Sequence, residues 1–266
     1  MDEKDSNKDF TFSIEGKDYT ISEKDNTTKD SKKQTLHLPS LTIGAIISGI
    51  CIAIVVFGIG DLSESSAPLV EKQLTEEPVQ ITMETFFKNG SPILGNPNAE
   101  ITLIEFGDYQ CHFCNVHFQN TEHKIFDEYV MTGKVNVIFK DYTIIGQDSV
   151  GAAHAAHCAS EQGKFWEYHD ILFTNWSGEN NGWASNENVL RFANEIGLNM
   201  DAFVECGMDK RYEQKIAASN EDAQKLGITG TPAFYVISTN SQQVQTLSGA
   251  QPYEVFERVF NSMLEN

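Results

Sequence analysis

Three hydropathy regimes follow one another along the chain. Residues 1–40 are polar, apart from a weak alternation of apolar and polar side chains over 10–21. Residues 41–60, LTIGAIISGICIAIVVFGIG, carry no charge and only Thr42 and Ser48 as polar side chains. Beyond a polar stretch over 61–80, short apolar runs and helical spacings alternate to the end. In that last part, alternating or continuous apolar runs predict strands over 101–106, 135–142, 233–237 and 243–247, with an earlier short strand over 81–87. Helices are predicted over 115–130, 149–162, 164–174, 185–196, 200–208, 210–226 and 253–264. Gly227 is a C-terminal stop for the sixth of these, and Pro252 favours the first turn of the last. Strand–helix–strand at the start implies a parallel pair joined by a right-handed crossover. The two closing strands are near enough in sequence for an antiparallel hairpin. The pattern therefore predicts an α/β fold: a mixed central sheet of four or five strands with helices on both faces, and a helical insertion over about 149–227.

The apolar run changes the picture from a soluble domain to an anchored one. Twenty uncharged residues at ~1.5 Å rise span ~30 Å, the thickness of a bilayer core. The flanks are polar and build no core around such a helix, so 41–60 is predicted to be one transmembrane helix, an uncleaved signal anchor. A cleaved signal peptide would need an unusually long charged leader; Ser65-Ser66-Ala67-Pro68 is where such a cut would fall. Seven lysines precede the run, and the first after it is Lys72. The positive-inside rule then makes 1–40 a disordered cytoplasmic tail, 61–80 a linker, and 81–266 one extracytoplasmic domain at the cell membrane.

The net charge is −19. Nearly all of it lies beyond the membrane run, where 12 basic residues face 29 acidic ones. An acidic exterior excludes nucleic acid and heparin-like polymers as natural partners.

The candidate chemistry is Cys111-His112-Phe113-Cys114, set between the strand over 101–106 and the helix that follows. A thiol at a helix N-terminus meets unpaired backbone N–H groups and the positive end of the helix dipole, which favour its thiolate. Thiolates attack disulfides. A zinc site would need two further ligands at suitable spacing, and no second Cys-x-x-Cys exists. His154, His157 and Cys158 share a helical face but complete no ligand set, so no metal is expected. Cys51 lies within the apolar run as a small packing residue.

Five stretches, in order and spacing, resemble the DsbA-like family of thioredoxin-fold thiol–disulfide oxidoreductases. They are Ile104-Glu-Phe-Gly-Asp-Tyr-Gln110; Cys111-His-Phe-Cys114; Cys158-Ala-Ser-Glu-Gln-Gly-Lys-Phe-Trp166; Gly227-Ile-Thr-Gly-Thr-Pro-Ala-Phe234; and Gly249-Ala-Gln-Pro-Tyr-Glu-Val-Phe256. The resemblance implies Cys111 as the attacking thiol and Cys114 as the resolving one, with His112 adding positive charge beside the thiolate. It implies Glu105 as a buried acid exchanging its proton near Cys114. It implies a cis-proline at Thr231-Pro232, where an extended client could pair with backbone groups. Cys158 and Cys206 are expected to pair as a structural disulfide; a second electron-relay pair and two buried free thiols remain open. One departure from the family's usual order stands out, with His at the first and Phe at the second position between the cysteines, which leaves the redox potential open.

The expected activity is a membrane-anchored, extracytoplasmic oxidase that forms disulfides in exported, unfolded or partly folded proteins. It would need no cofactor of its own, and a membrane partner resembling DsbB or vitamin K epoxide reductase would reoxidise it. A reductase or isomerase of the same fold, and a non-catalytic binding module for exported proteins, are the alternatives.

Overall fold

The computed structural model describes residues 10–14, 17–21, 81–238, 240–241 and 243–265. The expected transmembrane run 41–60 and linker 61–80 lie outside the described residues, as does most of the tail. Within the tail, however, β1 (Phe10–Ile14) and β2 (Lys17–Ile21) form an antiparallel pair with Phe12 opposite Tyr19. The hairpin falls on the weak alternation over 10–21.

The remaining strands are β3 (Ile101–Gly107), β4 (Val135–Asp141), β5 (Ala233–Ser238) and β6 (Gln243–Ser248). They form one mixed sheet in the order β4-β3-β5-β6. β3 and β4 run parallel, while β3–β5 and β5–β6 are antiparallel. Every residue of β3 and β5 is buried, as central strands covered on both faces require. One face packs Ile104, Phe106, Ile138, Tyr235 and Ile237; the other packs Leu103, Val135, Val236 and Phe256.

The strand expected over 81–87 is instead a helix, α1 (Met83–Phe87). Its period could not be read from so few residues. Tertiary packing decides the matter: Phe86 is fully buried with its ring 5.2 Å from that of Tyr235. The free edge of β4 is covered by the segment after α1, through Ser91 N–H to Phe139 O and a reciprocal Leu94–Val137 bridge.

The crossover from β3 to β4 is one continuous helix over 112–130. It is α-helical over α2 (His112–His117) and α3 (His123–Ile125), and π-helical over Phe118–Glu122 and Phe126–Val130. The insertion follows as α4 (Gln147–Ser160), α5 (Phe165–Thr174), α6 (Asn186–Glu195), α7 (Met200–Met208) and α8 (Glu213–Lys225). Ala152, Ala153, Ala156 and Ala159 are fully buried on α4, so neighbouring helices approach it closely. α8 stops at Gly227, whose φ of +72° suits glycine, with Ile228 N–H returning to Ala223 O. α9 (Tyr253–Leu264) closes the chain against the sheet face that holds Val236.

Candidate active site

The site grows from the end of β3. Asp108 is buried and accepts N–H bonds from Gln110, Ile144 and Ile145 at 2.8–2.9 Å. It thereby ties the turn before the dithiol to the loop after β4. Gln110 extends that tie: its amide donates to Ser149 Oγ and accepts from Asn180 N–H, and its carbonyl accepts the Trp176 indole N–H. Cys111 follows in extended backbone conformation as the N-cap of α2, with its carbonyl accepting from Asn115 N–H. Cys114 lies one turn in, on the inner face, 1% exposed against 4% for Cys111.

The two cysteines are unlinked, so the geometry is that of the dithiol form. A hydrogen bond from the Cys114 thiol is the largest influence on Cys111. With help from Thr231 and from the N–H groups of Cys114 and Phe113, it outweighs burial and brings the Cys111 pKa down to about 6. Cys114 moves the other way: burial, the bond it gives to Cys111 and the Glu105 charge all push its thiol up. The pair therefore rests at neutral pH as one thiolate and one thiol. This is the arrangement a nucleophile and its resolving partner require.

Thr231 closes the site from the loop before β5. Its carbonyl oxygen is 3.3 Å from Cys111 Sγ, and the Thr231–Pro232 peptide bond is cis. His112 lies on the exposed side, its ring 5.4 Å from that of Trp176 and 5.2 Å from that of Phe113. Phe113 is 58% exposed. Glu105 is buried beneath the dithiol, and burial, then the charges of Glu122 and Cys111, hold its carboxyl well above the usual carboxylate range.

Cys158 and Cys206 lie away from this constellation and are joined by a disulfide between α4 and α7. His154 and His157 are engaged elsewhere: His154 Nε2 accepts from Tyr212 N–H, and His157 Nε2 pairs with Asp141 at 2.7 Å. Among the described residues, two other groups have donor atoms close enough for a cation, namely Glu105–His117–Glu122 and Glu122–His169–Asp170, each within 4.8 Å. Neither was singled out from the sequence, because their members come from different elements. Asp108, Trp176 and Glu179, whose carboxylate accepts the His112 N–H at 3.0 Å, were also missed as parts of the site. Asp108 and Gln110 did stand inside a noted motif, the one signal that pointed to them.

A parallel strand pair joined by a helix, a dithiol at that helix's start and a Thr-Pro turn facing it define a thioredoxin-fold dithiol protein. A family model described as thioredoxin matches residues 88–253, and the chain belongs to that family. Among curated relatives, the probable disulfide bond formation protein D of Bacillus cereus is 27% identical over 157 residues, covering 58% of this chain and 73% of that protein. The disulfide bond formation protein D of Bacillus subtilis is 27% identical over 150 residues, 55% of this chain and 68% of that one. Among solved structures, alpha-DsbA1 of Wolbachia pipientis superposes with a TM-score of 0.58 at 27% identity, covering 64% of this chain and 89% of its own. Oxidised BdbD of Bacillus subtilis shares the fold with a TM-score of 0.60 at 22% identity, over 66% and 93%. The chain is a DsbA-like protein thiol–disulfide oxidoreductase.

Proposed function

We propose that the chain acts as an oxidase, donating the Cys111–Cys114 disulfide to client proteins that carry reduced cysteines. One observation supports the direction of electron flow: Cys111 caps the start of α2, where the Cys114 thiol and the N–H groups of Phe113 and Cys114 favour its thiolate and bring its pKa down to about 6. Whatever stabilises the reduced form makes the disulfide a stronger oxidant. At pH 7, moving a thiol from about 9 to about 6 favours the reduced form by at most ~1.4 kcal/mol, or ~30 mV for a two-electron couple. Screening by nearby solvent trims that figure.

The chemistry proceeds in two exchanges. A client thiolate attacks Cys111 Sγ, the Cys111–Cys114 bond breaks, and Cys114 leaves and takes one proton. The client's second thiolate then attacks its own sulfur in the mixed disulfide, and Cys111 leaves as the thiolate. The client loses two electrons and two protons. The enzyme gains two electrons and one proton, and one proton goes to solvent. Glu105 is the proton donor to Cys114 in this reading, Thr231 and Pro232 present the client-binding edge, and Cys158–Cys206 is structural. The apolar run over 41–60 anchors the domain outside the cytoplasm, and a membrane partner resembling DsbB or vitamin K epoxide reductase reoxidises it.

The test is disulfide acquisition by a reduced, unfolded test protein mixed with the oxidised enzyme, followed by counting free thiols. Cys111→Ala should abolish it; unchanged acquisition would favour a binding module. Labelling of intact cells with a membrane-impermeant thiol reagent after mild reduction tests the topology, and absence of label would place the domain inside.

A further inference from the structure

The loop between α5 and α6, residues 175–185, folds back onto the start of α2. Trp176 donates its indole N–H to Gln110 O at 2.8 Å, and Asn180 N–H donates to Gln110 Oε1 at 2.9 Å. The Asn180 side chain donates to Ile145 O, and Asn115 of α2 donates to Phe173 O at 2.8 Å. The backbone makes this return possible at Gly178 and Asn180, with φ of +130° and +52°, which glycine and asparagine tolerate. Gly146 leaves room for the loop: a Cβ there would lie 2.0 Å from Asn180 Oδ1. Glu179, between Gly178 and Asn180, is thereby held at the dithiol from an element far away in sequence.

Glu179 is exposed, and its Oε1 accepts the His112 N–H at 3.0 Å. His112 is the first residue of α2. A helix start leaves its first N–H groups without intrahelical partners, and a thiolate at the N-cap draws on the same donors. Phe113 and Cys114 give theirs to Cys111 Sγ, and Asn115 gives its own to the Cys111 carbonyl. Glu179 takes the His112 donor and sets a carboxylate beside the attacking sulfur.

We propose that Glu179 is a positioning residue of the exchange reaction, which braces the first turn of α2 from the helical insertion and, through its charge, tempers the oxidising power of the Cys111–Cys114 disulfide. This role deepens the exchange chemistry proposed above and rests on it. The brace and the charge act in opposite senses. A fixed first turn keeps the N–H groups aimed at Cys111, whereas the carboxylate repels the thiolate they stabilise.

The charge acts on one redox state. In the disulfide both sulfurs are neutral. When a client dithiol reduces it, the S–S bond breaks, Cys114 takes one proton and Cys111 stays behind as the thiolate. A neighbouring carboxylate raises the energy of that reduced state and leaves the oxidised one untouched. The effect is modest, because Glu179 is exposed and solvent screens it. Hydrogen bonds and burial remain the larger influences on Cys111. The other charged or titratable groups near the pair are Glu105 and Asp108, both buried, and His112, whose ring meets those of Trp176 and Phe113.

The test compares the full-length protein with Glu179→Gln by ultraviolet thiolate absorbance against pH and by equilibration in glutathione buffers. Gln keeps an oxygen that can accept the His112 N–H and loses the charge. Cys111 should become about threefold more acidic, the scale of one screened surface charge. The glutathione equilibrium at neutral pH should move about threefold toward the reduced enzyme, ~15 mV at ~30 mV per tenfold. In ~1 M salt, where screening sets in within ~3 Å, both differences should shrink. Glu179→Asp, which keeps the charge, should return both readings most of the way to wild type. Unchanged acidity in Glu179→Gln, or a difference that persists in high salt, would overturn the tempering role. A less acidic Cys111 in that variant would overturn it too and leave Glu179 as a brace alone. None of these results bears on the oxidase reading, which stands or falls with Cys111→Ala.

Discussion

Replacing Cys158 and Cys206 together by alanine separates the structural role of their disulfide from an electron-relay role. The bridge joins α4 to α7 across 48 residues. Releasing a loop of that length returns conformational entropy to the unfolded chain worth ~4 kcal/mol at 25 °C. For a domain of this size each kcal/mol moves the midpoint by ~2–4 °C, so the double variant should melt about 10 °C lower. Its exchange rate with a reduced test protein, measured well below that midpoint, should stay within about twofold of wild type. The reason is place: the bridge ties α4 to α7 within the insertion, whereas Cys111 lies at the start of α2 against the Thr231 carbonyl, 3.3 Å away. The assays are calorimetry and urea unfolding beside the exchange reaction on one preparation. An unchanged midpoint, or lost exchange at full stability, would refute the structural assignment and return the pair to a relay.

Three further perturbations follow from buried titratable groups. Glu105→Gln should stabilise the protein at neutral pH. The folded carboxyl keeps a proton that the unfolded chain releases near 4.5, so stability present below that pH is lost as pH rises, by at most ~1.4 kcal/mol per unit. Urea midpoints at about pH 5 and about pH 8 should differ more at the higher pH, and an equal difference would contradict the burial argument. His117 acts in the opposite sense: unfolded imidazole binds a proton near 6.5 that the native site refuses until about 4. Stability should therefore fall as pH drops through that window, and His117→Phe should flatten the decline; an unaltered acid limb would argue against it. Lys140 is fully buried, its ammonium 2.8 Å from Asp222 and donating to the carbonyls of Thr85 and Lys88. Lys140→Met should cost ~3–5 kcal/mol, with much of it recovered on adding Asp222→Leu. A single variant that unfolds at the wild-type denaturant concentration would show that the pair does not hold α1 and α8 to β4.

The sheet was legible because its central strands are continuous apolar runs bounded by turns, and such runs admit few readings. Met200–Met208 and Tyr253–Leu264 were read to the residue, and Pro252 marked the start of the second. The stretch over 81–87 misled because a handful of residues cannot separate a period of two from one of 3.6. Its fully buried anchor, Phe86, meets a partner 149 positions away. The dithiol and the Thr-Pro turn could be read locally, being short motifs with fixed neighbours. His117, Glu122 and His169 could not: their meeting depends on a π-helical turn and on the docking of α5, neither of which leaves a local signature. Asp108 likewise acts on amides 36 and 37 residues downstream.

The oxidase account depends on how easily Cys111 gives up its proton in the reduced protein. Ultraviolet thiolate absorbance against pH, with Cys111→Ala as the blank, measures that directly, and a redox titration of the same sample adds the potential. A midpoint near 6 is expected, with the potential falling by ~30 mV per pH unit above it instead of ~59 mV, because only one proton then accompanies two electrons. A midpoint at ~8.5, typical of a free cysteine, together with a potential at thioredoxin's ~−270 mV, would contradict it.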